Sequence, residues 1–347
     1  MELKEFKTEF GTITHITLTN SSVASATVST LGAGIVSVIV PDAKGTMADV
    51  VLGYADPAAW MADGPCAGKV PGRYANRIAR GHFSIDGKEY SLAINNGPNA
   101  LHGGPTGFQN RIWQIVEADD SRVVLEYVSA DGEEGYPGEL TVRATYEWTE
   151  SDELKLTLEA ETTKPTVVNL TNHAYFNLNG HNSGSVLDHE LQLNAAEWLP
   201  TDETLIPLPE APAQVKGTPM DFTEPKTLGK DIKADFPALK YGKGYDNCFV
   251  IDGKPGSLRR AAELYDPRSG RRMIVETTQP GVQIYTGNWL EGCPAGKDGA
   301  VYHDYDGVAI ECQAYPDAPN RPDFPSTLLR PGEKYREEIV FRFTTSR

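Results

Sequence analysis

The sequence predicts an all-β protein, a large antiparallel β-sandwich. Three observations carry that expectation. Period-two alternation of apolar and polar residues recurs from end to end, turn-forming dipeptides separate the alternating runs, and helical patterning is confined to two short pieces. With 347 residues the chain has the length of two average domains, but large β folds run as one unit at this size. The Pro- and Gly-rich stretches 200–225, 292–299 and 316–325 are short enough to be loops on a rigid scaffold. Residues 1–347 are therefore expected to form a single domain.

Taken in order, 13–18 and 23–28 alternate around an Asn-Ser-Ser turn. Residues 35–40 lead through PDAKG into 49–54, as a hairpin would. The runs 83–85 and 90–92 flank Asp86-Gly87, a strong short-range hairpin signal. Residues 112–117 and 122–128 flank a polar turn, 140–148 and 154–160 flank TESDE, and 338–343 follow Pro331-Gly332. The two helical pieces are 57–61 and 228–235.

Composition narrows the function. The 32 basic and 48 acidic residues give a formal net charge of −16. That disfavours nucleic acid and anionic membrane surfaces as partners and suits a neutral ligand. Cys66, Cys248, Cys293 and Cys312 are scattered and form no CxxC pair, so they read as reduced core thiols. The N-terminal residues alternate instead of forming a charged leader and apolar run, and no stretch approaches the roughly 20 apolar residues of a membrane helix. A cytoplasmic protein is expected.

One stretch organises the rest: 165–180, PTVVNLTNHAYFNLNG. Val168, Leu170, Ala174, Phe176 and Leu178 fall on one side, broken only by Asn172; Asn169, Thr171, His173, Tyr175 and Asn177 fall on the other. This predicts a strand whose polar face floors a cleft for something rich in hydroxyls. In GVAIECQAYPDAPN, Val308, Ile310, Cys312 and Ala314 oppose Glu311, Gln313 and Tyr315. A carboxylate in so apolar a strand is partly desolvated, which raises its pKa towards that of a useful general base. Gln283 and Tyr285 share a face in QPGVQIYTGN, Asp246 opens the apolar run YDNCFV, Arg73, Arg77 and Arg80 sit in VPGRYANRIARG, and His102 precedes two glycines. HExxH, a phosphate loop, a dinucleotide fingerprint and GxSxG are all lacking. What remains is carboxylate plus imidazole, which can move protons on a polyhydroxylated molecule with no metal and no cofactor.

Together these segments resemble the aldose 1-epimerase (galactose mutarotase) family. The likeness runs in order through GRYANRIARG, LHGG with a following GF, NLTNHAYFNL, YDNCFV, QPGVQIYTGN and ECQAYPDAPN. It implies a β-sandwich of about this length and interconversion of the α and β anomers of free hexoses such as galactose and glucose. By motif, it implies Glu311 as general base and His173 as general acid. Asn76, Arg77, His102, Tyr175, Asp246 and Gln283 would hold the sugar. Cys312 stands where threonine is frequent and should point into the core. Asn247 stands where histidine is frequent, beside Asp246, where it bears on substrate preference. A hexose-6-phosphate 1-epimerase would need more cations in the pocket, which Arg73, Arg77 and Arg80 keep in play. A glycoside hydrolase would pair Asp246 with Glu311, and a sugar-binding module would not need Glu311. A monomer and a homodimer are both compatible with the sequence.

Overall fold

A computed structural model describes residues 1–345, and antiparallel sheets dominate it. Glu2–Thr8, Gly11–Thr19, Ser25–Ser29, Gly34–Pro41 and Met47–Asp49 form a five-stranded meander. Nine strands form the largest sheet, in the order Gln114–Ala118, Arg122–Ser129, Leu140–Trp148, Glu153–Thr162, Tyr335–Thr344, Arg272–Thr277, Arg259–Tyr265, Glu190–Leu193 and Lys226–Thr227. A third sheet has six strands. Its order is Tyr175–Phe176, Val308–Gln313, Gly281–Tyr285, Asp246–Val250, Glu197–Trp198 and Ala213–Gln214.

Alternation decides what lies between the sheets. Leu154, Leu156 and Leu158 with Ile339, Phe341 and Phe343 from the nine-stranded sheet join Val282, Ile284, Val308 and Ile310 from the six-stranded sheet in one buried apolar cluster. Phe176 meets Phe341 with ring centroids 5.1 Å apart. The five-stranded sheet is tied in by Tyr146, whose hydroxyl donates to the Ala33 carbonyl at 2.6 Å, and by Trp148 Nε1, which donates to the Ala24 carbonyl. Each large aliphatic or aromatic side chain so buried contributes roughly 1.5–3 kcal/mol. The apolar positions Val168, Leu170, Phe176, Val308 and Ile310 all lie in this core, as expected, and so does Cys312.

Most predicted strands form close to the expected places, and Asp86-Gly87 does join a hairpin, His82–Ile85 with Lys88–Ser91. The predicted helix at 228–235 does not form: those residues are turns, and the helix is Pro237–Gly242. Pro237 sets its start, because proline suits only the first turn of a helix. Residues 57–60 form a short 3₁₀ turn.

The larger correction concerns 165–180. Only Thr166–Val167 and Tyr175–Phe176 are strand; between them the chain is extended but leaves the ladder. It bonds to 68–75 instead. His173 donates its main-chain N–H to the Lys69 carbonyl at 2.9 Å, Gly68 donates to the His173 carbonyl at 3.0 Å, Asn169 N–H donates to the Arg73 carbonyl, and Ala75 N–H donates to the Asn169 carbonyl. The supposedly open polar face is buried too. Asn169 donates to the Ala75 carbonyl and accepts from Ala314 N–H, Asn172 donates to the Gly68 carbonyl, and Asn177 donates to the Gly184 and Asp306 carbonyls. These amides satisfy loop backbone that burial would otherwise leave unpaired.

The glycines after His102 work the same way. At Gly103, φ is +78°, and an added Cβ would sit 2.0 Å from the Gly72 carbonyl oxygen. The close approach is to backbone. Gly103→Ala is expected to destabilise the protein by at least about 1–3 kcal/mol from the left-handed conformation alone, read as a lower urea midpoint. An unchanged midpoint would mean that this contact is not tight.

Candidate active site

The outward side of the six-stranded sheet has a simple register. Gln283 lies opposite Glu311, Tyr285 opposite Ala309, and Asp246 opposite Tyr285. Tyr175 lies opposite Ala309 on the other side. His173, two residues before Tyr175, comes beside Glu311: Nε2 and Oε1 are 3.4 Å apart. Glu311 is held opposite Gln283 in a strand whose first two residues also pair with Phe176 and Tyr175, and the backbone of His173 is pinned by Gly68 and Lys69.

A two-stranded ribbon, Arg77–Ile78 with Ala100–Leu101, faces this surface and delivers the remaining groups. Arg77 points from it towards Asp246, with a nitrogen–oxygen distance of 4.0 Å, and its Nε donates to Asn96 Oδ1 at 3.0 Å. His102 follows the ribbon directly, its ring edge-on to that of His173 with centroids 5.4 Å apart. Sheet and ribbon enclose a pocket of about 330 Å³ whose walls include Asn76, Arg77, His102, His173, Tyr175, Asp246 and Glu311.

Seven of the eight expected site residues thus line the pocket, and Gln283 alone does not. Gln283 is buried beneath the wall and donates to Asp246 Oδ1 at 2.8 Å, so it orients that carboxylate instead of touching the cavity. Tyr175 lines the pocket, but its hydroxyl donates to the Pro65 carbonyl at 2.7 Å, leaving the ring as its contribution. Asn247 does not bear on the pocket: it lies opposite Ile284 and alternates inward, away from Asp246. Of the three arginines, only Arg77 reaches the site. Arg73 is buried and donates to Pro137 O, Thr166 Oγ1 and Ser129 Oγ, and Arg80 is exposed outside the pocket. Sequence reasoning missed Asn96, Tyr241 and Trp289. Trp289 is 65% exposed at the pocket mouth, with Lys243 Nζ 4.0 Å from its ring centre.

A broader depression of about 620 Å³, lined by Arg80, Asn99, Asp202 and Ile206 among others, shares Tyr241 with this pocket. It holds no imidazole, whereas His102, His173 and Glu311 all line the smaller one.

Electrostatics set the pocket's chemistry. Burial, reinforced by the charge of Asp246 and opposed by Arg77, pushes the Glu311 carboxyl well above the usual range. Burial also pushes His173 down to about 4 and His102 well below the usual histidine value. Burial raises Asp246, with Arg77 and the Gln283 amide opposing it. Displaced groups converging in a cleft are what makes this pocket the candidate site.

The similarities agree with this geometry. The profile of the aldose 1-epimerase family matches residues 14–342. Human galactose mutarotase is 45% identical over 315 residues, 91% of this chain and 90% of the relative. Aldose 1-epimerase of Escherichia coli K12 is 37% identical over 330 residues, 94% of each chain. Among solved structures, an aldose epimerase homologue from C. elegans superposes with a TM-score of 0.88 at 32% identity, covering 96% of this chain and 99% of the other. A galactose 1-epimerase from Lactobacillus acidophilus superposes with a TM-score of 0.84 at 28% identity, covering 99% of both. The chain belongs to the aldose 1-epimerase family.

Proposed function

We propose that Glu311 and His173 carry the family's reaction here, opening and closing a hexopyranose by moving protons at its O1 and O5. The chain is an aldose 1-epimerase, an isomerase that interconverts the α and β anomers of hexoses such as galactose and glucose. The observation that carries the assignment is the 3.4 Å separation of His173 Nε2 from Glu311 Oε1 at the wall of a pocket of about 330 Å³. O1 and O5 of a pyranose are separated by one carbon, so groups this close can serve both at once, each within about 2.6–3.2 Å of its own oxygen.

Glu311 takes the O1 proton as His173 gives one to O5, and the ring opens to the aldehyde. Rotation about C1–C2 presents the other carbonyl face, and the reverse transfers close the opposite anomer. The pair ends as it began, so no outside proton is consumed. It needs one shared proton. Burial lowers His173 and raises Glu311, which favours that proton on the carboxyl in a pocket without sugar. A sugar hydroxyl donating to Glu311 and a ring oxygen accepting from His173 favour the other placement, which is the reactive one.

Asp246, oriented by Gln283, and Arg77, held by Asn96, suit the remaining hydroxyls. Arg77 is the one cation among the described lining residues, against two carboxylates. A phosphate dianion meets net repulsion there. Galactose-6-phosphate is therefore expected to be a poor substrate relative to galactose, and a higher kcat/KM for the phosphorylated sugar would favour the sugar-phosphate reading instead. Polarimetry of freshly dissolved α-D-galactose and α-D-glucose tests the reaction itself: rotation that decays no faster with protein than without it would overturn it.

The partner we propose is a free hexose, with neither nucleic acid nor membrane. The four free cysteines fit a reducing, cytoplasmic setting, and no helix among the described residues is long and apolar enough to cross a membrane. One apolar cluster draws side chains from Ile16 to Phe343, which supports a single working domain over 1–347.

A further inference from the structure

We propose that the main-chain N–H of Asn76 locks His102 in the tautomer that carries its proton on Nε2, making His102 a fixed hydrogen-bond donor into the sugar pocket. The inference rests on the active-site reading above and adds an assignment of roles between the two histidines.

The geometry is direct. Asn76 N lies 3.0 Å from His102 Nδ1. A peptide N–H only donates, so Nδ1 accepts and has no proton of its own. The neutral ring must then hold its proton on Nε2. The contact is reciprocal, since His102 N–H donates to the Asn76 carbonyl at 3.1 Å. Both residues have left-handed backbones, with φ of 63° at Asn76 and 50° at His102. Non-glycine residues keep that conformation where surrounding contacts over-determine it. Here the Asn76 side chain helps, its Oδ1 accepting from Arg77 N–H at 2.8 Å.

Two consequences follow. First, a second proton on His102 would set two N–H donors against each other at Nδ1, so the ring stays neutral while its neighbours His173, Glu311 and Arg77 change or keep charge around it. His102 can donate to a sugar oxygen but not hand over a proton as an imidazolium does. That leaves the acid role to His173, whose Nδ1 has no donor against it. Second, the lock governs metal ions. His102, His173 and Glu311 each offer a ligand atom, all within 4.8 Å of one another, the spacing of a metal site. A metal-binding histidine ordinarily donates its other N–H to a carbonyl or carboxylate. At His102 that polarity is reversed: Nε2 would have to lose its proton while Nδ1 is held by a donor. The constellation has metal-like spacing and a backbone contact that works against metal.

Long-range ¹H–¹⁵N correlation spectra of the full chain, with His102 assigned by its loss in His102→Gln, test this without any turnover. The expected pattern is protonated Nε2 and bare Nδ1, unchanged from about pH 5 to about pH 9. Asn76→Gly keeps the N–H and tolerates positive φ, and it is expected to keep the pattern. Titrating Zn²⁺ into the polarimetric assay is expected to give no competitive inhibition that EDTA relieves. A protonated Nδ1, a His102 that titrates in that range, a pattern changed in Asn76→Gly, or zinc inhibition abolished by His102→Gln would each overturn the lock. A protein without epimerase activity that still shows the Nε2–H pattern would sink the functional reading and leave the lock standing.

Discussion

Replacing Glu311 by glutamine is expected to cut kcat by about 10²–10⁴-fold while galactose still binds. The residue is 2% exposed, opposite Gln283 in its strand ladder, so an isosteric amide fits without moving the backbone. Glutamine can accept from the sugar's O1 hydroxyl but cannot take its proton. The loss should therefore fall on kcat rather than KM, because the missing interaction forms only as the proton moves. No other described lining carboxylate stands in easily. Asp246 already takes a hydrogen bond from Gln283 and faces Arg77. Burial does raise it, so it is the group to suspect if the variant stays active. Polarimetry beside equilibrium binding separates the two quantities. Near-normal kcat would mean that a different residue is the base.

How much of this was legible from residues alone depends on what each residue's signal was. Glu311 stands out because a carboxylate between Ile310 and Cys312 in an alternating strand has few bland explanations, and the sheet does place it in the pocket wall. Period two also tells which side of a strand a residue is on, and by that rule Asn247 had to face inward beside Phe249's neighbours, away from Asp246. What alternation does not tell is whether a polar face is open. In 165–180 the asparagines are spent on the carbonyls of loops that cross over them, contacts between residues 94 and 129 positions apart that no local pattern encodes. Gln283 was placed on the right face but one layer too shallow, since depth depends on what covers the sheet. Asn96, Tyr241 and Trp289 come from turns and a short helix, where no periodicity marks a residue as facing a ligand.

The second large effect belongs to His173. His173→Gln is expected to lower kcat by about 10²–10⁴-fold and to change the shape of the pH profile. In the unaltered protein the active form of the Glu311–His173 pair holds one proton, so kcat/KM should fall on both sides of a plateau. The acid limb is where the pair gains a second proton. It should lie below the ordinary histidine range, because burial takes His173 down to about 4. The alkaline limb is where the pair loses its only proton, and it should lie above the ordinary carboxylate range, because burial raises Glu311. Removing the imidazole removes the reason for the alkaline limb. The residual reaction then needs only an ionised Glu311, so its rate should rise with pH through the raised carboxyl and level off. Losing a merely structural histidine would lower the rate or the stability without converting a bell into a rise. Polarimetric kcat/KM across pH for both proteins makes the comparison, and a His173→Gln enzyme that kept the two-sided profile would remove His173 from the acid role.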